Sequence, residues 1–147
     1  MHDDPIRKYS RADFIELDLT GVDLSWVDLS RLDLTELDLS RLNFRGADFR
    51  GADLSGSNLE KSDLRNASFS KVNLSRANLS RANLSRANLS RANLSGANLS
   101  GANLNGANLK QSIMSGVNLH GTTMICTDLT EVDLTNVDLS GAAYIEP

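Results

Sequence analysis

At 147 residues and 40% hydrophobic composition, the chain is the size of one domain and can fill a single core. Its formal charge of −4 and pI near 5.1 exclude an overall electrostatic pull toward nucleic acid or an anionic membrane. The single cysteine, Cys126, excludes an internal disulfide framework and a cysteine-based zinc site, so stability has to come from packing and backbone pairing.

The first residues, Met1 to Tyr9, contain no apolar run that could serve as a signal-peptide core. No later stretch approaches the roughly 20 apolar residues of a bilayer-spanning helix. The expectation is a cytoplasmic protein with no membrane association. Residues 1–11 stand outside any periodicity and are expected to cap the N-terminal end.

From Phe14 to Tyr144 every fifth residue is apolar, 27 of 27 positions: 20 leucines, Phe14, Phe44, Phe49, Phe69, Met114, Met124 and Tyr144. Two residues before each of these centres lies a second small or apolar residue. It is mostly Ala in the middle, and Leu17, Val22, Val27, Leu32, Leu37 and Leu42 near the start. A period of five fits neither the 3.6 of a helix nor a sustained period of two. Each unit reads instead as an in-out-in trio of strand followed by two residues that turn the chain. The bulky early second column should widen the first coils.

All ten glycines stand two residues after a centre, where a tight turn can need positive φ. Arg, Lys and Glu share that column, so the expectation is that only some corners demand it. The residue before the centre is mostly Asp early and Asn later, and the residue after it is most often Ser or Thr. These side chains can bond local backbone or form polar ladders between coils.

Units such as Arg76-Ala77-Asn78-Leu79-Ser80 and Gly96-Ala97-Asn98-Leu99-Ser100 resemble the A-(D/N)-L-x-x consensus of the pentapeptide repeat family over about residues 12–144. The resemblance implies an all-β fold, a right-handed quadrilateral parallel β-helix with four units per coil. Residues 12–145 would then form one solenoid domain of about 6–7 coils, with 146–147 as a tail. At about 4.8 Å between paired strands the rod would be about 32 Å long.

Little in the chain suggests catalysis. His120 and Cys126 are expected to project outward on adjacent sides, too far apart for a nucleophile and its base. A solid interior of Leu and Ala leaves no substrate cavity, and nothing calls for a cofactor. Asp13, Asp33 and Asp53, 20 residues apart, should stack as an acidic ladder that could attract a cation. The ladder reads chiefly as a solvated face whose crowded carboxylates titrate above normal.

Charge is zoned. Residues 1–40 hold ten acidic and four basic residues, 41–110 four and eleven, and 111–147 five and none. The basic zone is expected to form a band, with Arg76, Arg81, Arg86 and Arg91 on four different sides. Arg41, Lys61 and Arg81 should stack on one face, and Lys71 and Arg91 on another. Nucleic acid is an improbable partner, because no aromatic residue is interleaved with these bases.

Some members of the family imitate DNA and bind gyrase, protecting it from quinolones, and this is the alternative function the resemblance implies. Duplex DNA carries about one charge per 1.7 Å, so a rod of this length would need roughly 19 negative charges. The chain has a positive middle instead, and only its first two coils approach such density. Outward apolar residues complete the reading. Trp26 either anchors a partner or is covered by the segment with Ile6 and Tyr9. Ile125 and Ile145 should stack beside Cys126, Ala143 and Tyr144, predicting a homodimer or end-to-end stack through the C-terminal coil. The leading expectation is a non-enzymatic scaffold that presents a rigid charged rod to an unidentified protein partner.

Overall fold

The computed structural model describes residues 8–145. Helix α1, Arg11–Glu16, is followed by coils in which parallel bridges link residues 20 apart, such as Asp33 with Asp53 and Asn78 with Asn98. With a unit of five, that register means four pentapeptides per coil. Extended strands are few, namely β1, Thr123–Ile125, and β2, Ala143–Ile145, paired in parallel with Ile125 opposite Ile145. Elsewhere a side contributes at most one bridged residue, the one before the centre, because the chain turns too soon for a longer strand.

Most interior units repeat the same bonds. Leu79 N–H donates to the Asn98 carbonyl at 2.7 Å, Arg81 N–H to Ser100 at 2.9 Å, and Asn98 N–H to Ala77 at 3.0 Å. The turn closes by Ala82 N–H to the Leu79 carbonyl at 3.1 Å. Only the third residue of that turn has positive φ, which is type II geometry.

The corner expectation needs correction here. All 25 residues of the glycine column from Gly21 to Gly141, fifteen of them not glycine, have φ between 56° and 74°. An L-residue held there costs of order 1 kcal/mol. The backbone bonds that each unit makes to neighbouring coils and its buried leucine, which is worth about 1.5–3 kcal/mol, outweigh that cost. The column contains no β-branched residue and no proline, the types least able to adopt this conformation.

The centres from Leu24 to Leu119 are enclosed to within 1% exposure, interleaved with alanines at 0–2%. The bulkier early column is accommodated less completely: Leu17, Val22, Leu32 and Leu42 are only partly buried. At the N-terminal end an aromatic series runs down the axis. Tyr9 meets Phe14 at 5.8 Å between centroids, Phe14 meets Phe44 at 6.5 Å, Phe44 meets Phe49 edge-on at 5.2 Å, and Phe49 stacks on Phe69 at 4.8 Å.

The first unit of the frame is therefore helical rather than a side of the coil. The Asp13 carboxylate accepts from the Ser10 amide at 2.7 Å and from its hydroxyl at 3.2 Å, fixing the start of α1. Arg11 ties the helix to the first coil through the carbonyl and carboxylate of Asp33, at 3.2 and 3.3 Å.

At the other end the ladder thins. Among the described residues no bridge joins Ile113 to Asp133, and Leu139 and Tyr144 stand 43% and 44% exposed at centre positions.

Candidate functional site

Because the interior is filled, the surface is what the molecule offers, and its side chains are positioned by the corners and by the residue before each centre. That residue is Asp or Asn for a local reason. Its Oδ1 accepts the amide two residues on, as in Ser25 N–H to Asp23 at 2.9 Å and Ser80 N–H to Asn78 at 3.0 Å. Ser or Thr at that second position adds its hydroxyl, as from Ser30 to Asp28 at 2.6 Å. Links between coils are fewer, for example Asn43 Nδ2 to Asp23 at 3.0 Å.

These bonds set the acidity of the aspartates. Asp18, Asp23, Asp28, Asp38, Asp128 and Asp133 are held below the usual carboxylate range, first by the neighbouring hydroxyl and then by its amide. In Asp33 and Asp138 the backbone amide leads. The expected acidic ladder is corrected in two respects. Asp13 belongs to α1 and does not stack below Asp33, which does bridge Asp53. Asp33 is also lowered rather than raised, because two donors stabilise its charge.

Carboxylates with depressed folded-state pKa values stabilise the fold above their unfolded pKa, near 4, and that contribution is lost as pH falls through the folded values. Thermal melts are thus expected to be flat from about pH 7 to 5 and to drop below about pH 4. A melting temperature that rose on acidification would contradict this.

The 20-residue register places Arg41, Lys61 and Arg81 along one corner and Lys71 and Arg91 along another. It puts Arg76, Arg81, Arg86 and Arg91 on the four corners of one coil. Three of these lie over glycines of the next coil: the Cγ atoms of Arg76, Arg81 and Arg86 are 3.4 Å from where a Cβ on Gly96, Gly101 and Gly106 would stand. Arg91 instead donates from Nε to Gln111 at 3.0 Å, and Gln111 donates to Glu131 at 2.6 Å.

Sequence reasoning missed that some of the basic zone is internally neutralised. Arg50 and Arg65 reach back two residues to form bidentate pairs with Asp48 and Asp63, with contacts of 2.6 and 2.9 Å in each. The signal was present as Asp-Phe-Arg and Asp-Leu-Arg, with Arg where Ser usually stands. It also missed that from residue 64 to 127 the chain holds seven basic residues and no acidic one.

Trp26 is 70% exposed and sits at a corner with φ 62°. Its indole lies over Gly46, where any Cβ would collide with the ring. Tyr9 does not cover it but is buried against Phe14, and Ile6 lies outside the described residues. The predicted C-terminal group is brought together. Ile125 and Ile145 are in register, 38% and 61% exposed, Cys126 N–H donates to the Ile145 carbonyl at 3.0 Å, and Ala143 and Tyr144 lie in the same exposed strand. His120 pairs with the Ser140 hydroxyl at 3.1 Å, on a different corner from Cys126.

The family model described as pentapeptide repeats matches residues 10–46, 28–66, 43–81, 73–111 and 102–141, in eight copies. The chain belongs to the pentapeptide repeat family. Members of the family form right-handed quadrilateral β-helices, in keeping with the 20-residue pairing described above. A pentapeptide repeat protein from the thylakoid lumen of Arabidopsis thaliana is 32% identical, covering 78% of this chain and 69% of that one, with a TM-score of 0.42. One from the cyanobacterium Cyanothece 51142 is 30% identical over 85% of each chain, with a TM-score of 0.43. QnrB1, a plasmid-mediated fluoroquinolone resistance protein, is 19% identical over 82% of this chain and 81% of its own, with a TM-score of 0.33. Among curated proteins none matches. Pentapeptide repeat proteins are in general structural and binding proteins. No helix among the described residues is long and apolar enough to cross a membrane.

Proposed function

We propose that this pentapeptide repeat protein is a non-enzymatic cytoplasmic scaffold that presents a rigid, charge-zoned rod to a protein partner and self-associates through its C-terminal coil. The observation that carries the reading is the acid-free stretch from 64 to 127, with seven bases, six of them in no ion pair among the described residues, on a backbone whose corners are all fixed. Long basic side chains cost rotamer entropy to order, and a preset corner reduces what a partner must supply. The full chain, immobilised, is expected to retain defined protein partners from an extract and to release them with salt. A folded rod that retained nothing would overturn the reading.

Self-association draws on the exposed Leu139, Tyr144 and Ile145 around β2. At the opposite end the described residues begin with α1 in place of a coil side, with Phe14 buried in it and Tyr9 buried beside it, so a β2 edge meets no strand edge there among the described residues. The self-complementary arrangement is a two-fold pair. Ile145→Asp would bring a carboxylate into that contact and is expected to weaken dimerisation by about tenfold or more, as like charges meet across the axis. An unchanged mass by light scattering across the same concentration range would remove the C-terminal interface.

A further inference from the structure

We propose that the corner carrying Lys71, Arg91 and Lys110 is a docking groove for a short acidic segment of a protein partner. This rests on the reading of the rod as a binding scaffold and assigns it a face and a ligand chemistry. The basic residues of the coils are unequally shared among the four corners. The register gathers Arg31, Arg50, Lys71, Arg91 and Lys110 on one of them, one per coil, whereas the corner with Arg76 has that base alone.

Along the rich corner two recesses run into one another, sharing Ser70 and Lys71. The second is lined by Ser70, Lys71, Ser90, Arg91, Lys110 and Gln111. Arg50, at the N-terminal side, is consumed by Asp48, while Lys71 and Arg91 make no ion pair among the described residues. Arg91 Nε is taken by Gln111, while its two terminal guanidinium nitrogens make no hydrogen bond or ion pair among the described residues, which leaves them for the fork that carboxylates engage.

The length of the groove selects the ligand. Lys71 to Lys110 spans two coil steps, about 10 Å, which an extended peptide covers in three or four residues. Beyond the groove a polyanion lying along the rod would meet Asp128, Glu131 and Asp133 on one side and, on the other, Arg50 already paired with Asp48 and then the acidic first coils, whose one base on this corner is Arg31. Duplex DNA would present about six charges over the groove and force the remainder against carboxylates. No aromatic side chain lies in the groove to stack single-stranded bases. An acidic peptide can end where the cations end.

The test uses the full chain and a fluorescein-labelled hexaglutamate peptide, with a duplex DNA oligonucleotide as competitor ligand, at low and high salt. The expected result is salt-sensitive peptide binding that weakens about tenfold or more in Lys71→Glu/Arg91→Glu/Lys110→Glu. The triple Arg76→Glu/Arg81→Glu/Arg86→Glu, with the same change in net charge, should alter it by less than about threefold. Thermal melts check that both fold, and the corresponding Gln triple replaces the Glu triple if it does not. Equal loss in both triples, no binding by the wild type, or tighter binding of the duplex than of the peptide would each overturn the groove. Partner retention by a rod that failed this test would leave the scaffold standing with its contact elsewhere.

Discussion

Phe49→Ala is expected to lower the unfolding free energy by about 3–5 kcal/mol, the range for emptying a fully buried aromatic site. Phe49 is completely enclosed, stacked on Phe69 at an interplanar angle of 3° and edge-on to Phe44. Removing it therefore forfeits transfer energy and both ring contacts, each about 0.5–1.5 kcal/mol beyond its area. The walls cannot close on the cavity, because the ladder bonds from Phe49 N–H to Ser68 at 2.8 Å and from Phe44 N–H to Asp63 at 2.8 Å fix the coil spacing. Denaturant unfolding of both proteins measures the difference. A change below about 1 kcal/mol would mean that the first coils relax more freely than this ladder implies.

A larger effect, with a different reach, is expected for Leu89→Asp. Leu89 is 0% exposed in the alanine-rich middle, and a carboxylate there has no partner and no water. An uncompensated buried charge costs several kcal/mol, enough to unfold its surroundings rather than remain in place. In a solenoid each coil contacts only its neighbours, so the damage should be local. Phe69 and Leu109 are the centres one coil before and one coil after Leu89 on the same side. Hydrogen exchange is expected to show lost protection over about residues 69–109, while the aromatic N-terminal coils keep theirs. Uniform loss along the chain would show that the rod unfolds as one cooperative unit.

The leucine column made the core legible from the sequence, since one unbroken period admits one inward direction per unit. The same column hid α1. Phe14 keeps the frame, and Ile15, in place of the usual Ser or Thr, does not set that unit apart, because Ile125 and Ile145 hold the same position in units that form strands. The corners were half legible. Glycine signalled positive φ, while Arg and Lys in the same column pointed the other way. The informative signal was what the column omits, Val, Ile, Thr and Pro. For the surface, the 20-residue spacing located Ile125 beside Ile145 and Lys71 beside Arg91. The pairing of Arg50 with Asp48 depends on side-chain reach across a turn, which periodicity does not express.

The four-unit coil also makes the rod an indexing device. Adding one pentapeptide would extend the core by one more leucine and one more turn, yet every column after the insertion would advance by one corner relative to those before it. Inserted between Arg91 and Lys110, it would take Lys110 out of the line of Lys71 and Arg91 and onto a neighbouring corner, with little change in composition or stability to mark the event. Adding four units would restore the alignment and move the two halves of the groove apart along the axis. Which charges face together is thus set by the number of units between them, counted modulo four, and gain or loss of single repeats reshuffles binding faces on an otherwise constant scaffold.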